Sequence, residues 1–186
     1  MKARILVWLV ALFCCHNVLF AQKEFVNASA RLSGHPRILL QKGEEKALKK
    51  VIMKDAVWKD IHQSLVDEAG EIVKLPLNER IKTGRRLLSV SRENLRRIFI
   101  LSYAYRMTGK SEFLKRAESE MLKAASFSDW NPSHFLDVGE MTMALAIGYD
   151  WLYPQLSEQT KREIENAIVE KGLKPSFDER YNWFVN

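Results

Sequence analysis

Between residues 94 and 171 the chain spells the same two-helix unit twice, and this repetition narrows the folds open to it. The first unit begins with a helix through Asn94 to Met107, for which Ser91 is a suitable N-cap. Leu95, Ile98, Phe99, Ser102 and Tyr103 share one face, and Ile100, Leu101, Ala104 and Tyr105 add apolar surface elsewhere. A helix apolar on most sides is buried between neighbours. Thr108-Gly109-Lys110 turns the chain, with Gly109 suited to a left-handed C-terminal cap. Ser111 to Ala125 then reads as an amphipathic helix with Phe113, Leu114, Ala117, Met121 and Leu122 inward.

The second unit repeats this order. Asn131-Pro132-Ser133 opens a helix to about Tyr153, with Ser133 as cap and Pro154 as stop. It is apolar nearly all round (Met141, Met143, Leu145, Ile147, Trp151), and Gly139, Ala144, Ala146 and Gly148 let another helix approach closely. Ser157 caps an amphipathic helix to Lys171 with Ile164, Ala167 and Ile168 inward. The two buried helices start about 43 residues apart and the two amphipathic ones about 46 apart, the period of stacked helical hairpins. Upstream, Glu44 to Ala69 reads as helix with a break near Asp55 and an apolar face of Trp58, Ile61 and Leu65. Residues 70–90, with Gly70, Pro76 and Gly84, read as a connection. No strand alternation of useful length occurs, so the expected fold class is all-α: stacked hairpins forming an open solenoid or part of a ring.

The segment 1–21 stands apart. Lys2 and Arg4 precede an apolar run, Ile5 to Cys15, and Ala21 offers a small residue for cleavage. This is the layout of a secretory signal peptide, and the run is shorter than the roughly 20 apolar residues a membrane span needs. The expected organisation is a signal peptide over 1–21, a lead-in segment over 22–43 and the helical domain over 44–186, in a protein exported to the periplasm or secreted. Cleavage removes Lys2 and Arg4 and no acid, so the net charge falls from +6 to +4. It also removes both cysteines, Cys14 and Cys15. Disulfides and thiolate metal sites are thereby excluded from the mature domain. Asn27-Ala28-Ser29 is a glycosylation sequon in a loop. The aromatic end, Tyr181-Asn182-Trp183-Phe184-Val185-Asn186, reads as the middle of an element, so a longer protein is expected.

Four stretches carry a family resemblance. They are His35-Pro36-Arg37-Ile38-Leu39-Leu40, Trp130-Asn131-Pro132-Ser133-His134-Phe135-Leu136-Asp137, Ala146-Ile147-Gly148-Tyr149-Asp150-Trp151-Leu152-Tyr153 with Leu156-Ser157, and Leu173-Lys174-Pro175-Ser176. In this order they resemble the heparinase II/III-type polysaccharide lyases over roughly residues 35–186. The resemblance implies an incomplete (α/α) toroid, followed in complete members by a β-sandwich. It implies cleavage of uronate-containing glycans, such as heparin, heparan sulfate or alginate, by β-elimination. It implies no cofactor, and as partners an acidic polysaccharide and the remainder of its own chain. The C5 proton of a uronate is poorly acidic, so an amide or imidazole must stabilise the developing enolate, while a Tyr or His removes the proton. The family's catalytic Asn or His, Tyr and second His correspond to positions beyond Asn186, so no catalytic residue is assigned.

Four residues are candidates for substrate binding: His134, Asp137, Asn182 and Trp183. His134 and Asp137 lie three apart at a helix start, with Glu140 three further on. His134 could meet an anionic sugar at the open end of a ring, or be a loop histidine that stabilises the helix start. His134 and Asp137 are too few for a zinc site, which needs three or four ligands. Asn182 and Trp183 could line a sugar subsite or pack in the core. Asp150-Trp151 reads as structural, an Asp fixing backbone or a neighbouring side chain beside a packed Trp. Lys49-Lys50, Arg85-Arg86, Arg92 and Arg96-Arg97 could draw a polyanion or simply be solvated helix faces. Nucleic acid is a poor fit for an exported protein with no groove-reading motif. The alternative function is a helical-repeat module that binds protein or glycan without catalysis. A tetratricopeptide array is disfavoured because its repeat is shorter, about 34 residues.

Overall fold

The computed structural model describes residues 34–181. The expected signal segment, the Asn27 sequon, most of the lead-in, Asn182 and Trp183 lie outside these residues. The described chain is all-α. Its six α-helices are α1 (Glu45–Lys54), α2 (Ala56–Lys74), α3 (Leu88–Thr108), α4 (Ser111–Ala125), α5 (Phe135–Leu152) and α6 (Glu158–Ala167). No strand is formed among the described residues; one isolated bridge pairs Thr83 with Arg86.

Local chemistry sets most of the boundaries. The expected break at Asp55 separates α1 from α2. Asp55 is extended there, and its carboxylate accepts hydrogen bonds from the Val57 and Trp58 N–H groups at 2.9 and 3.2 Å. Gly109 ends α3 at φ +74°, with its N–H bonded to the Tyr105 carbonyl. Ser157 caps α6 by accepting from the Thr160 N–H at 3.0 Å. Four boundaries differ from the sequence expectation, one of them the end of α6, which was expected at Lys171 and lies at Ala167. α2 continues to Lys74, because Gly70 costs a helix only about 1 kcal/mol and Ile72 extends the buried face. Ser91 lies inside α3 rather than at its cap, and its hydroxyl donates to Glu140 of α5 at 2.6 Å. His134, not Ser133, holds the N-cap position of α5. Past α6 the backbone widens into a π-turn, Ile168–Leu173, which sets Gly172 against Thr142 and Trp130.

The hairpins stack in two layers. The short link Gly109-Lys110 makes α3 and α4 antiparallel. α3 and α5 run parallel, since Ser91 meets Glu140, Asn94 meets Met141 and Phe99 meets Trp151 in ascending order. α4 and α6 are parallel as well: Thr160 bonds Glu118, and Lys171, just past α6, reaches the Ala125 and Phe127 carbonyls. The core lies between the layers around Ile98, Leu101, Phe113, Met121, Trp130, Met141, Leu145 and Ile164, all almost fully buried. Each such side chain contributes about 1.5–3 kcal/mol.

Two expectations about packing are corrected. Trp58 and Ile61 do not pack inward; they are 47% and 46% exposed. His62 pairs with Tyr103, while Trp58, one turn earlier on α2, is left half open. Likewise α5 is not buried on every side, since Leu136 and Met143 are 53% and 49% exposed.

Candidate anion-binding site

The connection between α2 and α3 is rich in cations, and a buried acid on α5 holds it in place. Asp137 is fully buried. Its Oδ2 accepts hydrogen bonds from the Leu87 N–H and the Asn131 side-chain amide, both at 2.7 Å. The same Asn131 amide donates to the Arg85 carbonyl at 2.9 Å. Asn131 reaches both because its own backbone is left-handed, at φ +59°, with its N–H held by Asp129. Residues 83–86 between these anchors form a tight turn, closed by mutual Thr83 and Arg86 backbone hydrogen bonds, with Gly84 at φ +60°. The turn therefore cannot swing away from the start of α5.

Lys82, Arg85 and Arg86 project from this turn into solvent, and none of them has a side-chain partner among the described residues. Beside them is a cleft of about 270 Å³ lined by Arg80, Lys82, Asp129, Asn131, Pro132, Ser133 and Tyr181. Arg80 pairs with Asp129 at 2.6 Å. Burial would raise the Asp129 carboxyl, but Arg80 and the Asn131 N–H hold it below its ordinary value. A second cleft, also about 270 Å³, adjoins across Asp129, Pro132 and Tyr181 and adds Lys171 and Lys174. Burial lowers the Lys171 ammonium, which donates to the Ala125 and Phe127 carbonyls and so closes the end of α4. Lys174 pairs with Glu170. The second cleft is charge-compensated; the turn is not.

The sequence candidates separate accordingly. Asp137 spends its carboxylate on the fold and presents no surface to a ligand. His134 is partly exposed, and its Nδ1 lies 3.2 Å from Asp137 Oδ1 without hydrogen-bond alignment. Asn182 and Trp183 lie outside the described residues. Asp150-Trp151 anchors the lead-in: Asp150 accepts from His35 Nδ1 at 2.6 Å and from the Arg37 and Ile38 N–H groups at 2.8 and 2.9 Å. Trp151 donates to the Ile38 carbonyl. Two of the stretches that carry the resemblance thus bind each other.

Of the other expected basic residues, Lys49 and Lys50 of α1 are exposed, and the three arginines are neutralised. Arg92 pairs with Glu140, and Arg96 with Glu93 and Glu68. Arg97 is buried against Glu120, which also takes Arg116. The role of Asn131 was missed because Asn131-Pro132-Ser133 reads only as the opening of a helix. Lys82 was missed because its only signal was proximity to Arg85-Arg86. No helix among the described residues is long and apolar enough to cross a membrane, and no group of three or more His, Cys, Asp or Glu side chains among them is placed to hold a metal ion. Comparison with protein-family models finds no match, and no curated protein matches the sequence significantly.

Proposed function

We propose that this chain is the helical, substrate-holding part of an exported polysaccharide lyase of the heparinase II/III kind. Its substrate class is uronate-containing glycan, cleaved by β-elimination, and its hairpins form one arc of an incomplete (α/α) toroid. The observation that carries the reading is the fixed turn with three unpaired cations, Lys82, Arg85 and Arg86, beside an open cleft. A polymer with a carboxylate on each uronate meets such a turn with favourable charge along its length. The parallel pairing of α3 with α5 and of α4 with α6 is the arrangement an arc of α/α hairpins requires.

The role of this chain is binding and orientation. By the resemblance, the groups that stabilise the enolate and move the C5 proton lie past Asn186. The test is to titrate the purified protein with heparin, heparan sulfate and alginate at low salt, and to follow the ultraviolet absorbance of the unsaturated product. Binding to a uronate polymer supports the reading, and product formation places catalysis within these residues. Failure to bind any of the three at low salt overturns it. Binding without product, here and in any longer form found in source cells, favours a glycan-binding module.

A further inference from the structure

A second feature lies on the seam between α2 and α3, away from the basic turn. The Tyr103 hydroxyl and His62 Nδ1 are 2.9 Å apart, their rings edge to face at 5.8 Å. Burial pushes the Tyr103 phenol above its ordinary value, so the hydroxyl keeps its proton near neutral pH. One helical turn before His62, on the same face of α2, stands Trp58, with nearly half its surface open. Ile61 is exposed next to it.

The polar pair has spare capacity in either tautomer. If the tyrosine donates to Nδ1, the Nε2–H is a free donor and the phenol oxygen still accepts. If Nδ1–H donates to the phenol oxygen, the hydroxyl proton is free and Nε2 accepts. Either way the pair shows one donor and one acceptor, and Nε2 has no polar partner among the described residues. A wholly apolar protein surface covering Trp58 would bury these groups unpaired, which is costly. A pyranose ring suits both parts. Its C–H face packs on an indole, and the hydroxyls at its rim both donate and accept.

We infer that Trp58, His62 and Tyr103 form a carbohydrate subsite that seats one pyranose ring of a glycan, with the Trp58 indole as platform and the His62–Tyr103 pair as hydrogen-bonding edge. That the ring belongs to an acidic polymer rests on the proposed function; the subsite itself does not require it. The size of each side-chain effect follows from ordinary stacking and hydrogen-bond strengths, read as fold-changes in affinity.

The experiment titrates the protein with a tetra-uronate from alginate and with cellotetraose, a neutral tetrasaccharide. The variants are Trp58→Ala, Tyr103→Phe, His62→Ala and the turn variant Lys82→Ala/Arg85→Ala/Arg86→Ala. The expected result is roughly tenfold weaker binding of at least one sugar for Trp58→Ala, and about three- to tenfold for Tyr103→Phe and His62→Ala. Because Trp58 is half exposed, its removal leaves the melting temperature in place, and unchanged thermal melts confirm this. Tetra-uronate binding that falls in the turn variant but not in Trp58→Ala or Tyr103→Phe overturns the subsite and leaves the acidic-glycan reading intact. Binding of cellotetraose alone, lost in Trp58→Ala, supports the subsite and overturns the acidic-glycan reading. Binding of neither sugar overturns both.

Discussion

The Asp150 carboxylate and the His35 imidazole are separated by 115 residues of chain and by 2.6 Å in space. The same carboxylate takes the Arg37 and Ile38 N–H groups, so one buried acid near the end of α5 fixes the start of the helical domain. Removing it leaves three donors in a half-buried seam. Asp150→Ala should cost about 3 kcal/mol and Asp150→Asn about 2, because the amide oxygen keeps one acceptor. Thermal melts would show this as a fall of several degrees; a melting temperature indistinguishable from the parent's would refute the clamp.

Glu120 is fully buried and is held by Arg97 at 3.0 Å and Arg116 at 2.7 Å. Glu120→Ala takes the buried carboxylate from both guanidiniums, though Arg97 keeps Glu93 and Arg116 keeps the Val73 and Pro76 carbonyls, and should cost about 2–3 kcal/mol in urea unfolding. Arg92→Ala breaks only the exposed pair with Glu140 and should cost less than about 1 kcal/mol. Equal costs for the two variants would mean that burial is not what distinguishes them.

Two glycines of α5 should respond in opposite directions. A Cβ on Gly148 would sit 2.5 Å from Met121 Sδ and 2.6 Å from Ile98 Cγ2, so Gly148→Ala should destabilise by about 1–3 kcal/mol. Gly139 meets nothing within 4 Å, so Gly139→Ala should stabilise by up to about 1 kcal/mol through helix propensity. Chemical denaturation of both variants is the check.

The basic turn should act through charge alone. The triple variant Lys82→Ala/Arg85→Ala/Arg86→Ala should bind heparin about tenfold or more weakly at low salt, with stability unchanged within about 0.5 kcal/mol. The difference from the parent should vanish near 1 M salt, where the screening length is about 3 Å. A difference that persists at high salt would point to a packing effect instead.

Acid should weaken the fold in a defined window. The hydrogen bond from Arg96, opposed by burial and aided by Arg97, holds the Glu93 carboxyl below its ordinary 4.5. Asp129 is held below its ordinary 3.8. With folded values below unfolded ones, the folded state binds fewer protons, so this stabilisation is complete above about pH 4.5 and disappears as pH falls through the lowered values. Melting temperature should therefore be level from pH 7 to about 5 and drop below about 4. Arg96→Ala should make that drop shallower, and an unchanged drop would remove Glu93 from the account.

The candidate site was legible only in part. Arg85-Arg86 stood out as positive charge, but so did Arg96-Arg97, and the two pairs have opposite fates. Arg97 is buried on Glu120, 23 residues away, whereas the Arg85 and Arg86 side chains are left in solvent. Charge type is visible in a sequence; the partner that cancels it is not. Asp137 shows the same limit. It read as a substrate-binding candidate at a helix start, yet it is buried and accepts from the Leu87 N–H, 50 residues away.

By itself the sequence determined the all-α class, the hairpin period, the break at Asp55, the stop at Gly109 and the cap at Ser157. Each of these rests on contacts within a few residues: the rhythm of a buried helix face, or a side chain reaching the next turn's N–H. Only the tertiary structure decided that Asp150 holds His35, that Gly148 and not Gly139 lies under a neighbouring helix, and that Trp58 faces solvent. It also decided which arginines keep their charge free. Those outcomes depend on how helices far apart in the chain are set side by side, and local periodicity carries no record of that placement.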